Sequence, residues 1–288
     1  MQEKYSVLMS IYYKENPLYF EESIKSILNQ TVKTNDFVLI EDGKLTKELE
    51  EVVTKYEKKF PNIFNIIRLE KNIGLGPALA IGIKKCKNEL IARMDSDDIS
   101  VPDRCEKELL TFSYDQSLDM VGSNIIEFTN DITNVQSYRV LPESDWEIKK
   151  YMRRRNPFGH PSVMFKKSKV LEAGNYRPYY LCEDYDMWIR MAKIGAKFYN
   201  IQENLVYMRI GDDFYKRRGG IKYLKSILKF KREQYKNGFY SFKDFAITAT
   251  SSIIICLIPN GLRDLFYKKF LRKGKKYEKE KNRSNNIT

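Results

Sequence analysis

The sequence predicts an α/β protein with a mostly parallel, Rossmann-like sheet, helices on both faces of that sheet, and a basic helical C-terminal tail. Three observations predict this class. Apolar segments of strand length alternate with amphipathic segments of helix length up to about residue 112, the connections between them are short, and polar residues follow several strand segments. Such alternation is typical of a parallel sheet that helices cover on both sides.

The first part of the chain gives four strands and three helices in order. YSVLMSI at 5–11 is an apolar run that predicts a buried strand, and PLYFEESIKSILNQT repeats apolar residues at helical spacing. DFVLIED and FNIIRL predict the second and third strands, on either side of a helix that we expect to begin at a Thr46 cap. GPALAIGIKKC predicts the third helix, and ELIARMD predicts the fourth strand.

After residue 113 the pattern is looser. DMVGSNIIEF and PSVMFK predict strands, and EDYDMWIRMAKIG predicts a helix that Gly195 closes. AKFYNIQENLVYMRI suggests two short strands. We therefore divide the chain into residues 1–112, residues 113–215 and a C-terminal segment of residues 216–288.

Charge separates the C-terminal segment from the rest. The 288 residues include 51 Lys and Arg against 38 Asp and Glu, a net charge of +13. Residues 216–288 hold 20 of these basic and 5 of these acidic residues, or +15, which leaves 31 basic and 33 acidic residues, or −2, for the remainder. A basic segment on a near-neutral body predicts an anionic partner, either a membrane surface or a nucleic acid.

Two apolar stretches of this segment bear on that choice. FAITATSSIIICLI at 245–258 is only 14 residues long, whereas a helix needs about 20 to span a bilayer. LRDLFYKKFLRK at 262–273 predicts an amphipathic helix. The four cysteines form no CxxC pair and the N-terminus lacks a signal-peptide pattern, so we expect a reducing cytoplasm.

Carboxylates cluster where the fourth strand is expected to end. RMDSDDISVPDR at 93–104 places four aspartates within nine positions. Asp95 and Asp97 are two apart, so in an extended chain both side chains point to the same side, where they could hold Mg²⁺ or Mn²⁺. A solvated acidic turn is the alternative. Asp103 has a local explanation, as the third residue after a Ser100 helix cap.

Several motifs together resemble glycosyltransferase family 2. They are SVLMSIYYKENPLYFEESIKSILNQT, VLIEDG, NIGLGPALAIGI, MDSDDISVPDR and EDYDMWIRM, and the match runs to about residue 210. Members of that family have the GT-A fold and use nucleotide-sugar donors. NPFGHPSVMF, LVYMRI and KRRGGIKYL resemble a subgroup that assembles bacterial capsule, exopolysaccharide or O-antigen repeat units.

The resemblance implies a set of donor-binding residues. They are Ser10, Tyr12, Asp42, Asp95 and Asp97. The first two match positions that contact the nucleotide base, and Asp42 matches the acid that binds it. Asp95 matches the first acid of the DxD motif, near ribose and diphosphate, and Asp97 matches the metal-binding carboxylate. Lys44 stands where the family often has Ser, so this turn is expected to differ locally.

The resemblance also implies catalytic and acceptor residues. Asp184 matches the catalytic base, with Glu183 in support, although acids at a helix N-terminus are also favoured by the helix dipole alone. His160 is a candidate to contact the acceptor, or a structural loop histidine. Trp188 is a candidate to stack on a sugar, or a core residue. Arg209 either approaches the pyrophosphate or pairs with an acid.

The resemblance thus implies a metal-dependent, inverting hexosyltransferase that uses Mn²⁺ or Mg²⁺. It would move a sugar from a UDP-sugar to a lipid-linked oligosaccharide at the inner face of the cell membrane. Residues 1–112 would bind the nucleotide sugar, residues 113–215 would bind the acceptor, and residues 216–288 would hold this cytoplasmic, peripheral protein on an anionic membrane surface.

Two rival functions remain open. A sugar-phosphate nucleotidyltransferase would share the α/β sheet, but it is expected to carry a glycine-rich basic loop where this chain has SIYYKENPLYF. A basic nucleic-acid-binding protein would carry its charge along a folded surface with interleaved aromatic residues. Here the charge lies in an amphipathic C-terminal segment, which favours a membrane and no nucleic acid.

Overall fold

The computed structural model describes residues 3–211 and 219–259. The strands are β1 (Tyr5–Ile11), β2 (Asp36–Glu41), β3 (Phe64–Arg68), β4 (Leu90–Arg93), β5 (Ile99–Ser100), β6 (Met120–Phe128), β7 (Val135–Arg139), β8 (Met164–Lys166) and β9 (Phe198–Arg209). The helices are α1 (Pro17–Leu28), α2 (Lys47–Lys59), α3 (Leu75–Lys85), α4 (Arg104–Tyr114), α5 (Asp145–Met152), α6 (Lys167–Glu172), α7 (Glu183–Lys193), α8 (Gly220–Lys236) and α9 (Phe242–Leu257). All the elements predicted before residue 112 are present, and Thr46 caps α2 by accepting a hydrogen bond from the Leu49 amide.

The described strands form one sheet. Its order is β3-β2-β1-β4-β8-β6-β9-β5, and β7 pairs with β6. The pairs among β3, β2, β1 and β4 are parallel, as is the pair of β6 and β9. The remaining pairs, which involve β8, β7 and β5, are antiparallel. The sheet is therefore parallel in its first part and mixed as a whole.

Helices cover both faces of the sheet, as predicted. Successive side chains of a strand point to opposite faces, and the parallel strands are apolar on both. Leu8 and Ile40 pack with side chains of α3 and α7 on one face. Val7 and Leu39 pack with side chains of α1, α2 and α4 on the other. Burial on both faces explains why these strands are continuous apolar runs.

Two local predictions are wrong. Residues 198–209 form one strand instead of two, because a shift of register against β6 takes up the extra residues as a bulge. Ser100 is not a helix cap: it lies in β5, whose pairing with β9 keeps the chain extended there. Helix α4 begins only at Arg104, and Asp103 makes no capping hydrogen bond but pairs with Lys107 at 2.8 Å.

The two C-terminal helices, α8 and α9, form a hairpin (residues 220–257, the C-terminal hairpin) that packs on the rest of the protein. Phe230 of α8 lies in the core beside α7, with its ring centroid 5.0 Å from that of Tyr185. Residues 212–218 and 260–288, including the predicted amphipathic stretch 262–273, lie outside the described residues. Within the two described ranges, no helix combines the length and apolar composition needed to cross a membrane.

Candidate active site

Three neighbouring parallel strands, β2, β1 and β4, end at the edge of the sheet where the donor-binding residues are expected. Ser10 is near the end of β1 and Tyr12 lies just beyond it. Asp42 directly follows β2, and Asp95 and Asp97 follow β4. The carboxyl ends of adjacent parallel strands share one edge. The fold therefore brings all five predicted donor-binding residues to a single edge.

The acidic loop, residues 95–98, alternates between partly exposed and buried side chains. Asp95 and Asp97 are partly exposed, whereas Ser96 and Asp98 are buried. Both aspartates are therefore accessible, but residues 96–97 form a turn and not the extended chain on which the expectation was based, so a common side for the two carboxylates stays a prediction. The buried Asp98 accepts a hydrogen bond from the backbone N–H of Arg209 at 2.7 Å. Burial, and then the charges of Asp97 and Asp95, raise the pKa of Asp98 well above its usual range.

Arg93 is a central residue of the site that the sequence motifs did not indicate. Its side chain is 1% exposed and forms an ion pair with Asp95. Burial is the largest influence on the pKa of His160, Glu183 and Asp184, and the charge of Arg93 lowers the pKa of all three. Its Nε and Nη1 have no hydrogen-bond partner among the described residues. The available signal was a charged residue at the end of an otherwise apolar strand.

Arg209 supports the acidic loop from the end of β9. Its Nε donates a hydrogen bond to the backbone carbonyl of Asp97 at 2.9 Å, and its Nη2 pairs with Glu22 at 2.7 Å. The guanidinium lies between the rings of Tyr19 and Phe128, at 3.8 and 4.5 Å from their centroids. Of the two predicted roles for Arg209, the structure contains the pairing with an acid.

Asp42 fixes the loop that leads into α3. Its Oδ1 accepts a hydrogen bond from the Ile73 amide at 2.7 Å, and its Oδ2 accepts one from the Gly74 amide at 3.0 Å. Each carboxylate oxygen has a second lone pair that could accept a hydrogen bond from a nucleotide base. Binding of the nucleotide base by Asp42 stays a prediction. The same holds for Ser10 and Tyr12, which are both partly exposed.

The acidic loop supplies carboxylate oxygens that suit a divalent cation. Among residues 3–211 and 219–259, no group of three or more His, Cys, Asp and Glu side chains is arranged to hold a metal ion. Mg²⁺ is commonly held by only one or two carboxylates together with substrate phosphates, and Mn²⁺ prefers the same ligands. Asp95 and Asp97 therefore fit such a cation in combination with a bound diphosphate.

Asp184 and Glu183 form an acid pair in the first turn of α7. Asp184 Oδ2 accepts a hydrogen bond from Asn156 Nδ2 at 2.6 Å, and its Oδ1 accepts one from the Tyr185 amide at 2.6 Å. Burial raises the pKa of Asp184, and these two donors only partly oppose that shift. Burial and the adjacent Asp184 carboxylate raise the pKa of Glu183 to about 8.

Burial affects the pKa of the acid pair more than the helix N-terminus does, and the role of Asp184 as a base stays a prediction. A helix dipole alone would hold the pKa of these carboxyls below its usual range, whereas burial moves the pKa of both upward. A carboxylate whose pKa is raised towards neutrality is a better general base at neutral pH. Each oxygen of Asp184 also keeps a lone pair with which to accept a proton.

His160 and Trp188 have different surroundings. His160 is partly exposed and shares a hydrogen bond between its Nε2 and Tyr176 Oη at 2.8 Å. Burial, and then the charge of Arg93, lower the pKa of His160 well below its usual range, so the ring is neutral. Trp188 is 0% exposed within an aromatic cluster of the core. Trp188 thus has the core role, with no face open to an acceptor, and acceptor binding by His160 stays a prediction.

Helix α3 brings the two parts of the site into contact. A Cβ atom on Gly76 would lie 2.6 Å from the carbonyl oxygen of Arg177 and 3.2 Å from Cβ of Glu183. Only a residue without a side chain permits this approach. The first turn of α3, which Asp42 holds, therefore packs directly against α7 beside the acid pair.

Comparison with known proteins shows the family to which this chain belongs. Residues 6–170 match the family model described as glycosyl transferase family 2. This chain belongs to that family. It is 37% identical over 270 residues, or 94% of this chain and 97% of the relative, to UDP-Gal:α-D-GlcNAc-diphosphoundecaprenol β-1,3-galactosyltransferase of Escherichia coli. It is 36% identical over 228 residues, or 79% of this chain and 84% of the relative, to the amylovoran biosynthesis glycosyltransferase AmsE of Erwinia amylovora.

Solved structures establish the fold. TarS (1–349) of S. aureus, in complex with UDP-GlcNAc, has a TM-score of 0.58 at 18% identity and covers 78% of this chain and 66% of its own. The mannosyltransferase PcManGT of Pyrobaculum calidifontis, in complex with GDP-Man and Mn²⁺, has a TM-score of 0.62 at 12% identity and covers 91% of this chain and 72% of its own. The fold is GT-A, as the sequence resemblance implies.

Proposed function

We propose that this glycosyltransferase moves a hexose-type unit, with inversion and with a divalent cation, from a UDP-sugar to a lipid-linked oligosaccharide in bacterial surface polysaccharide synthesis. The observation that supports this most is the buried Arg93, which pairs with a donor-side acid and whose charge acts on the acid pair of α7. The E. coli relative is named for a UDP-Gal donor and a diphosphoundecaprenol-linked acceptor, and the Erwinia relative for amylovoran biosynthesis.

On the donor side, Asp95 and Asp97 would hold the cation together with the diphosphate. When bound, the cation would stabilise the negative charge that develops on the leaving diphosphate. Arg93 orients Asp95 through an ion pair, and Arg209 holds the backbone at Asp97. Carboxylates that are fixed in advance need no reorganisation as the reaction proceeds.

On the acceptor side, Asp184 would remove the proton from the acceptor hydroxyl. Inversion by one displacement requires a base for the nucleophile on the side away from the leaving group. With a pKa of about 8, Glu183 holds its proton at neutral pH. Asp184, which accepts two hydrogen bonds that favour its charged form, is then the ionised member of the pair. Glu183 supports it.

The proposal is tested by measuring which nucleotide sugar the full chain and the Asp97→Ala variant use as donor. UDP-sugars and GDP-sugars are screened with Mn²⁺ for hydrolysis and for transfer to a lipid-diphosphate-linked N-acetylglucosamine. We expect turnover of one UDP-sugar that EDTA abolishes, and a higher melting temperature with UDP and Mn²⁺. Asp97→Ala should lose metal-dependent UDP binding and turnover, whereas Asp115→Ala, which removes an exposed aspartate on another surface, should not.

Other outcomes would contradict the proposal in distinct ways. Full activity of Asp97→Ala, or full activity in EDTA, would exclude the metal role. Release of pyrophosphate from UTP with a sugar 1-phosphate would favour a nucleotidyltransferase. A melting temperature that nucleic acid raises and UDP does not would favour the nucleic-acid-binding alternative.

The C-terminal hairpin is the part of the structure that we propose to lie on an anionic membrane. Helix α9 buries polar side chains and exposes apolar ones, which is the reverse of an ordinary surface helix. Its polar residues Asp244 and Thr248 are buried against the protein, and apolar residues are exposed, namely Phe242, Ile247, Ile253, Ile254 and Leu257. An exposed apolar face flanked by many basic residues is typical of an interfacial helix on anionic lipid.

Vesicle binding tests this surface. Phe242→Ser/Ile254→Ser/Leu257→Ser should weaken partitioning into phosphatidylglycerol-containing vesicles by about 1,000-fold or more, since each buried apolar side chain contributes roughly 1.5–3 kcal/mol. Leu110→Ser/Tyr114→Ser removes two exposed apolar side chains from α4 and is the matched control. Equal binding by both variants and the unaltered chain would contradict the proposal. Truncation at residue 240 is a poorer test, because α9 also contacts the acceptor part of the site.

A further inference from the structure

We propose that Asp244 of the C-terminal hairpin is a positioning residue for Asp184, and that it acts through the segment that joins α5 to Asn156. The inference rests on the proposed role of Asp184 as the base and extends it to a part of the chain that lies outside the matched region 6–170. Three sets of contacts carry it.

The first set lies at the carboxylate itself. Among the described residues, Asn156 supplies the side-chain hydrogen bond to Asp184, from Nδ2 to Oδ2 at 2.6 Å. Asn156 is fixed in turn, because its Oδ1 accepts the Phe158 amide at 3.2 Å and its carbonyl accepts Arg139 Nη2 at 2.9 Å. The orientation of Asp184 therefore depends on where the backbone at residue 156 is held.

The second set holds that backbone. Arg153 and Arg154 follow α5 directly and precede Asn156 by three and two residues. Both arginines bind the buried Asp244: Arg153 donates from Nε at 3.0 Å and from Nη2 at 2.8 Å, and Arg154 donates from Nη1 to the other carboxylate oxygen. Two guanidinium groups on one buried carboxylate fix both the position and the direction of this segment.

The third set joins the same hairpin to the start of α7. Tyr185, the residue after Asp184, donates a hydrogen bond from its hydroxyl to the Met152 carbonyl at 2.5 Å. Its only proton is then used, so Tyr240 of the hairpin donates to Tyr185 Oη at 3.0 Å. The hairpin thus contacts both Tyr185, next to the proposed base, and the segment next to Asn156. These contacts hold the end of α5 against the start of α7.

The decisive variant is Asp244→Asn, which keeps the shape and removes the charge. We expect kcat to fall on the order of 10–100-fold, because a displacement of about 1 Å at a catalytic group can cost 100-fold. UDP affinity should stay within about twofold, since the donor residues lie elsewhere. Asp119→Asn is the matched control: Asp119 is also buried and accepts a backbone N–H, from Lys197 at 3.0 Å, outside α5, α7 and the hairpin.

The pH dependence of kcat distinguishes positioning from a general loss of structure. Asn156 favours the ionised form of Asp184, so its withdrawal should raise the pKa of that carboxyl. The base must be ionised, and the acidic limb of the profile should therefore move to higher pH. The other charged groups that act on Asp184, namely Glu183, Arg139 and Arg93, are unchanged in the variant.

A second variant protects the test if Asp244→Asn folds poorly. Arg153→Met breaks the same contact from a side chain that is 46% exposed, and it should lower kcat in the same direction. Asn156→Ala should reproduce the loss, and Asn156→Ala/Asp244→Asn should be no slower than the slower single variant, because both act on one carboxylate.

Each result has a clear meaning. Near-normal kcat in both Asp244→Asn and Arg153→Met would overturn the inference, and so would multiplicative losses in the double variant or an unmoved acidic limb. Asp184→Asn is measured alongside. If Asp184→Asn keeps normal kcat, the proposed base is wrong whatever the hairpin does. If Asp184→Asn loses kcat and the hairpin variants do not, only the positioning inference fails.

Discussion

The proposed donor part of the site and the proposed acceptor part are built in different ways. On the donor side, residues such as Asp42, Asp95 and Asp97 lie within a few positions of the end of a parallel strand, and the sheet itself brings them together. On the acceptor side, Asp184 lies on a helix and is oriented by Asn156, 28 residues away in the chain. Parallel strand ends converge because of backbone hydrogen bonding, whereas the acceptor site depends on individual side chains.

This difference indicates where each part should be sensitive to substitution. The acidic loop is held by several contacts from different elements, including Arg209 on Asp97 and Asp98 and the Ser23 hydroxyl on the Asp95 carbonyl, so loss of one should leave the others in place. The acceptor carboxylate is held by few contacts, and loss of one should change its orientation and its pKa together. Variants test this difference in sensitivity, beginning with the proposed base.

The largest effect is expected for Asp184→Asn. The substitution keeps the shape and removes the basicity, so kcat should fall by about 10²–10⁴-fold, the usual contribution of a general base. UDP affinity should remain within about threefold because the base does not touch the nucleotide. Steady-state kinetics and UDP titration check this. Loss of UDP binding by Asp184→Asn would place Asp184 in the donor site. If Asp184→Asn keeps a near-normal kcat and Glu183→Gln does not, the base is Glu183.

Arg93→Met should affect both parts at once. It removes the cation that pairs with Asp95 and acts on the acid pair. We expect the free energy of unfolding to fall by about 2–3 kcal/mol, since the loss of a buried charge partner is costly, together with weaker UDP binding and lower kcat. Denaturant unfolding measures the first quantity. Arg68→Met is the control, because that side chain is 52% exposed and should cost at most about 1 kcal/mol. Equal stability of the two variants would contradict a central role for Arg93.

Glu183→Gln should change how stability depends on pH. The folded pKa of Glu183 is about 8, above its ordinary value, so the folded state keeps a proton that the unfolded state releases. The free energy of unfolding of the unaltered chain should therefore fall as pH rises from about 4.5 to 8, by at most about 1.4 kcal/mol per pH unit from this group. The variant should have a flatter profile over that window, measured by urea unfolding. Glu172→Gln, at an exposed ion pair, should leave the profile unchanged.

The smallest effect is expected for Glu22→Gln on the donor side. Glu22 pairs with Arg209 but is 50% exposed, so the loss should be at most about 1 kcal/mol. Arg209 would keep its stacking between two rings and its bond to the Asp97 carbonyl. The KM for the donor should change less than about twofold in initial-rate assays. A large rise in KM would mean that the acidic loop is as sensitive to the loss of one contact as Asp184 is expected to be.

Much of the donor part could be predicted because local patterns determine it. Apolar runs of strand length, separated by amphipathic helices, specify a parallel sheet, and the sheet order then brings strand ends together. The position of Asp95 and Asp97 just beyond a buried strand was enough to predict that both lie at the edge of the sheet and are accessible, whereas the turn at residues 96–97 was not predicted. Arg93 was detectable by the same logic, as a charge at the end of an apolar strand, although no pattern indicates that its partner is Asp95.

The acceptor part and the hairpin were decided by tertiary structure. Contacts between distant segments determine their main features. They bury Trp188 in the core, join Asn156 to Asp184, and pair Arg153 with Asp244, 91 residues away in the chain. The sequence predicted that the C-terminal segment is basic and amphipathic. That Asp244 is buried and Phe242 is exposed could be seen only in the packed structure. Sequence patterns report which residues share a face. Which neighbour covers that face depends on the whole fold, and in this chain the C-terminal hairpin packs against Arg153, Arg154 and Tyr185, next to the proposed base.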